Sequence, residues 1–389
     1  MAATRRRPTA PAVRPRLLPP TPLVRAVLVG AGCSVAAGCS VVATPDSSTV
    51  PGTPQATAGP VGYVVCPDAV TPVELRSRLA EAPIPLPVQG TPPLGAYAVA
   101  VTPDGTRAYV LTRSTPPGRP TRNVLIPVDL ATRHAGVPIV LPGSGASGAV
   151  VVMHDGRTVL AASGTTVVPV DVATGAVGRP LDLGAGRTVS GMALSPTSGI
   201  LYVLVPDGVV PVDTATATAG APIATGLTVS SVSSPHGLVV SPDGATLWVA
   251  GQGPPDYGGR VVPVTTATGA VGTPTSFDAF GITDPAALAV TPDGSQLLVA
   301  DSANNWVDTV LTADPTQPLA PLRLPTGSGT ASSSGADHPT DVVTSPGDVG
   351  AFVVTGLGTV LPYHPSHRTY GSPIRVCPGA TSMAVWVPT

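Results

Sequence analysis

One phrase recurs seven times along this 389-residue chain, and its copies are out of phase with the two ends. The phrase is an apolar run, a turn such as TPDG, a second apolar run, a stretch resembling PVDLAT, and a short segment of the PI type. A unit this small cannot bury its own apolar face. Self-similarity at a period near 50 residues therefore implies a solenoid or a closed array. The turn position is held by Pro103, His154, Pro196, Pro242, Pro292, Pro346 and Pro388. Six residues after each of the first six stands a large apolar side chain: Tyr109, Leu160, Tyr202, Trp248, Leu298 and Phe352. A second marker recurs at Pro83, Pro138, Pro180, Pro222, Pro274, Pro321 and Pro373. The chain closes on MAVWVPT, an opening phrase with no continuation, while residues 62–86 form a unit whose opening is missing. Joined, they make one unit, so the array closes on itself.

The runs read as strands. They are short, rich in Val, Ile, Leu and Thr, and bounded by Pro, Gly and Asp. In AVAVTPDGTRAYVLT (98–112) Pro presets φ for the turn and Asp-Gly supplies the tolerance for left-handed φ that a tight hairpin needs. With 44 Gly and 49 Pro the chain has little room for long helices. Disorder is excluded by a 43% hydrophobic content, 11% charged residues and the strict period. Four short strands per unit and seven units predict an all-β fold, a seven-bladed β-propeller with four-stranded blades, closed by a composite blade from both termini. It is expected as a monomeric ring. A solenoid would show a distinct cap at each end.

Residues 1–38 read differently, with six Arg and no acid ahead of the apolar stretch AVLVGAGCSVAAGC (26–39). A basic start, a brief apolar core and small residues before the cut describe an export signal; a membrane span needs about 20 apolar residues. Ala36-Ala37-Gly38-Cys39 resembles the bacterial lipobox, which would make Cys39 the lipidated first residue of the mature chain and tether it to the outer side of a membrane. Alternatives are a simply cleaved signal with secretion, an uncleaved anchor, or the site at Cys33. Residues 39–61 are rich in Ser, Thr, Pro and Gly and read as a flexible tether to a ring over 62–389.

Charge narrows the function. The chain carries 20 Lys+Arg, all Arg, against 22 acids. Removing the six Arg of the signal leaves 14 against 22, a net of −8. An acidic ring without a basic stripe is not expected to bind nucleic acid. The absence of Lys excludes P-loops and Schiff-base chemistry. Among four cysteines, Cys66 and Cys377 form the pair left in the exported domain. The strand count places Cys66 at the end of the composite blade's second strand and Cys377 at the end of the preceding blade. In an oxidising compartment a disulfide there would latch the ring. The other reading is two free thiols.

The motifs "VTPDGTRAYVLT" (101–112) with residues 125–139, 240–250 with 261–274, and 290–300 resemble the YVTN-type β-propeller repeat family. The resemblance covers about 62–389. It implies the ring, and it implies exported envelope proteins as relatives, with lactonases and lyases among neighbouring families. It does not specify an activity.

No G-x-S-x-G, H-E-x-x-H or C-x-x-C motif is present, and no catalytic residue is assigned. His236 and His338 each immediately precede an innermost strand, which puts them at the axial mouth on one face. Asp284 holds the corresponding place in the blade between them, and Asp337 and Asp341 flank His338. Carboxylates and His around such a mouth would suit a divalent ion, while polar capping of strand starts is the plainer account. Asp256, Tyr257 and Trp306 lie in connections on the same face and suit a protein or glycan surface. Three functions are consistent with this. The first is a lipid-anchored envelope propeller that binds or scaffolds a surface protein or glycan, without a cofactor. The second is a lactonase- or lyase-like enzyme with a metal at the axial funnel. The third is a purely structural surface protein.

Overall fold

The structure is a computed structural model that describes residues 59–87, 96–115, 121–143, 148–184, 186–229, 237–254, 258–277, 284–325, 338–346 and 350–388. The signal, most of the tether, Cys39, His236, Asp256, Tyr257 and Asp337 lie outside the described residues. Every element described is β. Seven antiparallel sheets form a ring, and their inner strands touch one another in a closed cycle. In blade order the inner strands are Ala98–Val101, Val150–Val152, Gly191–Leu194, Leu238–Val240, Pro285–Val290, Pro339–Ser345 and Ser382–Trp386. The chain is a seven-bladed β-propeller.

The seventh blade is composite, as the misphased repeat predicts. Its inner strand, Ser382–Trp386 from the C-terminus, pairs antiparallel with Val61–Val65, which continues to Ala69–Glu74 and the outer pieces. Cys66 and Cys377 are disulfide-bonded across this closure, with Cα atoms 5.9 Å apart and a sequence separation of 311. The Thr381 amide donates to Val65 O at 3.1 Å beside the bridge. Further round the axis, Asp341 on the inner strand of blade 6 accepts the Met383 amide on Oδ2 (2.9 Å). Its Oδ1 takes the Val342 amide (2.8 Å).

Asx turns recur at two places in the repeat and set the strand ends in several blades. In the TPDG turn Asp104 accepts from the Thr102 hydroxyl and from the Thr106 amide, while Gly105 takes φ 67°. Ser241–Asp243 and Thr291–Asp293 repeat the arrangement. After the third strand, Asp129 and Asp171 accept both the amide and the hydroxyl of the Thr three residues on. These local bonds give the chain a cheaper partner than further ladder extension.

The recurrent prolines require one correction. The sequence suggests that they occupy strand edges or starts. Instead Pro72, Pro127, Pro169, Pro211, Pro263 and Pro362 sit mid-way along third strands, each paired with the large residue of the second strand. Proline gives the outer neighbour no N–H, so the outer strand breaks opposite it. It resumes just after the second marker proline, at Ile84, Ile139, Leu181, Ile223, Thr275 and Ile374. At the break one bond survives, from the Gly136, Gly178, Gly220, Gly272 or Gly371 amide to the proline carbonyl. Glycine suits the site because a Cβ on Gly272 would stand 3.0 Å from Pro263 Cγ.

The seams between blades are apolar, and one position recurs in them. The second-strand residue paired with the proline faces the following blade. Tyr63, Tyr109, Tyr202, Trp248 and Phe352 put a ring there. At the blade 5–6 seam Leu298 is complemented by Tyr363 and Tyr370 of blade 6, the Tyr363 hydroxyl lying 3.1 Å from Thr309 Oγ1. At three seams an arginine in left-handed conformation reaches back to the preceding blade. Arg133 (φ 59°) meets Glu81 and the Ala82 carbonyl, Arg368 (φ 53°) the Ala320 carbonyl, and Arg78 (φ 59°) approaches His364. The Arg133 and Arg78 clamps flank the composite blade, and the Arg368 clamp lies one seam further on.

Candidate functional site

Connections into the inner strands and the hairpins between second and third strands share one face. The Ser302 amide donates to Asp284 O (3.2 Å), the Gly356 amide to His338 O (3.0 Å), and Thr228 and Gln252 exchange backbone bonds. Three expectations for this face change. The stretch GQGPPDYGGR (251–260) reads in sequence as a connection, but the second and third strands run on into it as Thr246–Gly253 and Gly258–Thr265, so Gln252 and Arg260 are strand residues and Arg260 is buried. Trp306 opens a third strand, half-buried against the Trp248–Phe277 cluster, and is not a free loop aromatic. Asp341 is fully buried and its carboxylate holds the inner strand of the composite blade, so it lines no mouth. His338 is partly buried at the strand start.

Of the expected residues, Asp284 leads to something more. Its Oδ2 accepts the Ser302 hydroxyl at 2.6 Å. Behind it lies Asp301, fully buried, which accepts from Asn304 Nδ2 (2.8 Å), from the Ala303 amide (3.0 Å) and from the Asp284 amide. Deeper still is Asp308, also fully buried, with neither carboxylate oxygen accepting a hydrogen bond. Asp308 pairs with Val299 and Asp301 with Trp306. Val299 and Trp306 belong to the cluster shared with Trp248, Val261 and Phe277 of blade 4, so both carboxylates face the blade 4–5 seam. A cavity of ≈ 10 Å³, about one water in size, opens at the top of this seam between Gln252 and Asp284.

The electrostatics follow from burial. Desolvation pushes the Asp308 carboxyl up to about 8, helped by the charge of Asp301 and opposed by Arg368. Burial also raises Asp301, partly offset by the bonds it accepts from Asn304 and Ala303. The turn carboxylates behave oppositely: hydrogen bonds from Thr102 and Thr291 hold Asp104 and Asp293 below the ordinary range. Such a ladder of carboxyls, one hydrogen-bonded at the surface and one unsatisfied in the interior, can accept a cationic group or hold a proton.

The signal for Asp301 and Asp308 is present in the sequence but hidden. Blade alignment sets Asp308 against Thr71, Ile126, Val168, Val210, Val262 and Leu361, five of them aliphatic. The sequence WVDTVL reads as a strand, and a lone acid within it reads as solvent-facing until the register is fixed. Among the described residues no three His, Cys, Asp or Glu side chains converge in a way that could hold a metal ion. No described helix is long and apolar enough to cross a membrane.

No family profile matches the chain. No curated protein matches it in sequence. Its fold is similar to that of known structures. A chain of Kuenenia stuttgartiensis hydrazine synthase aligns at TM-score 0.58 and 16% identity, over 79% of this chain and 90% of that one. A functionally unknown protein from Desulfotomaculum acetoxidans aligns at TM-score 0.61 and 13% identity, over 85% and 99%. A chain of the nidogen/laminin complex aligns at TM-score 0.52 and 9% identity, over 85% and 99%. At these identities the likeness is one of architecture, and a propeller ring hosts unrelated functions.

Proposed function

We propose that this chain is an exported, lipid-anchored propeller of the YVTN-repeat type that binds a protein partner at the cell envelope through its loop face. On this reading the blade 4–5 seam receives a cationic side chain of the partner, Lys or Arg. The observation that carries it is Asp308, a carboxylate without a hydrogen bond at a position that five other blades fill with an aliphatic residue. A buried carboxyl without a partner destabilises a fold, whether charged or forced to hold its proton, and residues that break the local rule without a structural return mark functional sites. Asp284, Ser302 and Asn304 form its solvent side, and Trp306 supplies a rim that is only half buried. The acidic balance of the mature chain favours a basic partner over a neutral glycan.

A photo-crosslinking amino acid at Asn305, on the loop face, and another at Thr106, in the turn on the opposite face, test the reading on intact envelopes. The Asn305 position should capture a defined partner, capture should fall at raised salt, and Asp284→Asn with Asp301→Asn should abolish it. Equal capture from Thr106, or capture indifferent to both substitutions, overturns it. Cys39→Ala should release the chain from the membrane fraction, and retention would refute the lipid anchor. A lactonase- or lyase-type metal at the funnel would instead appear as a stoichiometric ion removed by chelator.

A further inference from the structure

The repeat supplies its own control for one cleft. On the outer side, toward the turn face, the seams between blades 1–2, 2–3 and 3–4 are open, because the left-handed position that carries a clamping arginine elsewhere is Gly175, Ala217 or Gly269. At the first of these seams the space is occupied by Tyr109, whose hydroxyl donates to Val172 O (3.2 Å), and by Arg107, whose Nη1 donates to the same oxygen (2.7 Å). At the third it is occupied by Tyr202 beside Thr266. At the second, Leu160 stands in the tyrosine position and Thr158 in the arginine position. Blade 3 does not compensate, because Val212 stands where blade 6 has Tyr363. Among the described residues, Leu298 is the other aliphatic in the recurrent slot, and since Tyr363 and Tyr370 fill its seam, the blade 2–3 seam alone of the seven has no aromatic ring from either blade.

The result is a cleft of ≈ 460 Å³ that reaches four core aliphatics, Leu160, Val167, Leu201 and Val212, each no more than 8% exposed. Clefts at the neighbouring seams are of similar volume, ≈ 360 and ≈ 470 Å³, but they stop at the ring of Tyr109 or Tyr202, so the missing ring changes what the cleft reaches and not its size. The volume lies within the range of small-molecule sites of roughly 300–1,000 Å³, and the lining is predominantly apolar, as such sites require. Thr214 takes the place of Val172, and its carbonyl has neither the phenol nor the guanidinium donor that Val172 receives.

The geometry points to a binding site for a small phenolic ligand between blades 2 and 3, its ring replacing the missing tyrosine and its hydroxyl donating to the Thr214 carbonyl. The site is independent of the acidic seam and of the proposed partner. It takes a single six-membered ring whose hydroxyl points toward the turn carbonyl and whose para position faces Leu160, where the Cβ of Tyr109 lies in the sister blade, with Arg179 and Asp155 also lining the cleft. An apolar cavity left by a missing side chain binds a ligand of the missing shape without reorganisation.

The test is p-cresol titrated into the full chain with methyl-labelled Leu, Val and Met, read as saturable shifts of Met153, Leu160, Leu181 and Leu201. Leu160→Tyr restores the ring of the sister blades and should weaken binding at least tenfold. Thr158→Arg restores the arginine without touching the core, should weaken it likewise, and decides the matter if the first variant does not fold. Toluene should bind several-fold more weakly than p-cresol. Absence of saturable shifts, shifts at other seams, or affinity unchanged in a folded Leu160→Tyr or Thr158→Arg variant overturns the site. Toluene binding as tight as p-cresol overturns the assignment of the Thr214 carbonyl.

Discussion

Replacing Asp308 by valine should stabilise the ring, and by an amount that depends on pH. The side chain is fully buried, unpartnered, and sits where Val168, Val210 and Val262 sit in other blades. Its carboxyl is raised in the folded state from 3.8 to about 8. A raised carboxyl binds its proton more tightly in the folded than in the unfolded chain. Its contribution to stability is therefore intact below about pH 4 and is lost as pH rises towards 8. Each unit is worth about 1.36 kcal/mol, so the penalty from this group is at most ~1 kcal/mol at pH 4.5 and ~5 kcal/mol at pH 7.5. The turn carboxylates Asp104 and Asp293, held low by hydrogen bonds, act in the opposite direction and only below about pH 4. Urea unfolding followed by tryptophan fluorescence at both pH values measures the effect. Wild-type stability should fall between pH 4.5 and 7.5. Asp308→Val should gain up to about 4 kcal/mol more at pH 7.5 than at pH 4.5, with a residual slope left by Asp301. An equal gain at the two pH values, or wild-type stability that does not fall, would refute the burial argument.

Three further perturbations probe the closure and the seams. Reducing Cys66–Cys377 frees a loop of 311 residues in the unfolded chain, which loop entropy values at up to about 5–6 kcal/mol. Calorimetry with and without reductant should show a lower Tm, and an unchanged Tm would mean that the Ser382–Trp386 pairing closes the ring unaided. Gly358→Ala should be far more damaging than Gly226→Ala, by about 3 kcal/mol against about 1. Both glycines have positive φ, but a Cβ on Gly358 would lie 2.1 Å from Cys377 O whereas Gly226 has nothing within 4 Å, and chemical denaturation of the two variants checks the ranking. Arg133→Gly removes a left-handed arginine together with its reach to Glu81 and the Ala82 carbonyl. Partly exposed pairs contribute about 0–1 kcal/mol, similar to the relief of strain, so stability should stay within about 1 kcal/mol while hydrogen exchange at Glu81 accelerates.

The ring is legible in the sequence because its evidence repeats. Each marker proline is a separate vote for one register, and the misphased ends at Gly62 and Met383 can be joined in only one way. The same register puts Cys66 beside Cys377. The prolines of the third strand escape a local reading for a physical reason. Proline is excluded from a ladder only where its missing N–H has a partner, and whether one exists depends on the outer strand, whose two-residue pieces carry no period. The loop-face residues are harder. Asp284 reads as a strand-start acid, but its contact with Ser302 depends on a hairpin packing beside it. Asp341 looks like a mouth ligand, yet it caps the Met383 amide across the closure, a contact separated by 42 residues.

Both proposed sites come from departures that only the register exposes. Aspartate within WVDTVL and leucine within TVLAAS are ordinary strand residues when read locally. Against their counterparts, one is a carboxyl in a slot that five blades fill with an aliphatic residue, and the other lacks a ring that five blades carry. The departures differ in kind. Asp308 adds a buried carboxyl that must hold its proton at neutral pH at a cost in stability, and a cation on the loop face would offset that cost by stabilising the charged form. Leu160 removes a group, and what it leaves is complementary to the residue it replaced. A single double variant separates the two. Asp308→Val with Leu160→Tyr restores the repeat at both positions, and because the sites lie in non-adjacent seams their stability changes should add within about 0.5 kcal/mol. Partner capture and p-cresol binding should then be lost together in the double variant, and each alone in its own single variant. Loss of both in either single variant would mean that the seams are coupled through the ring and that the two sites are one.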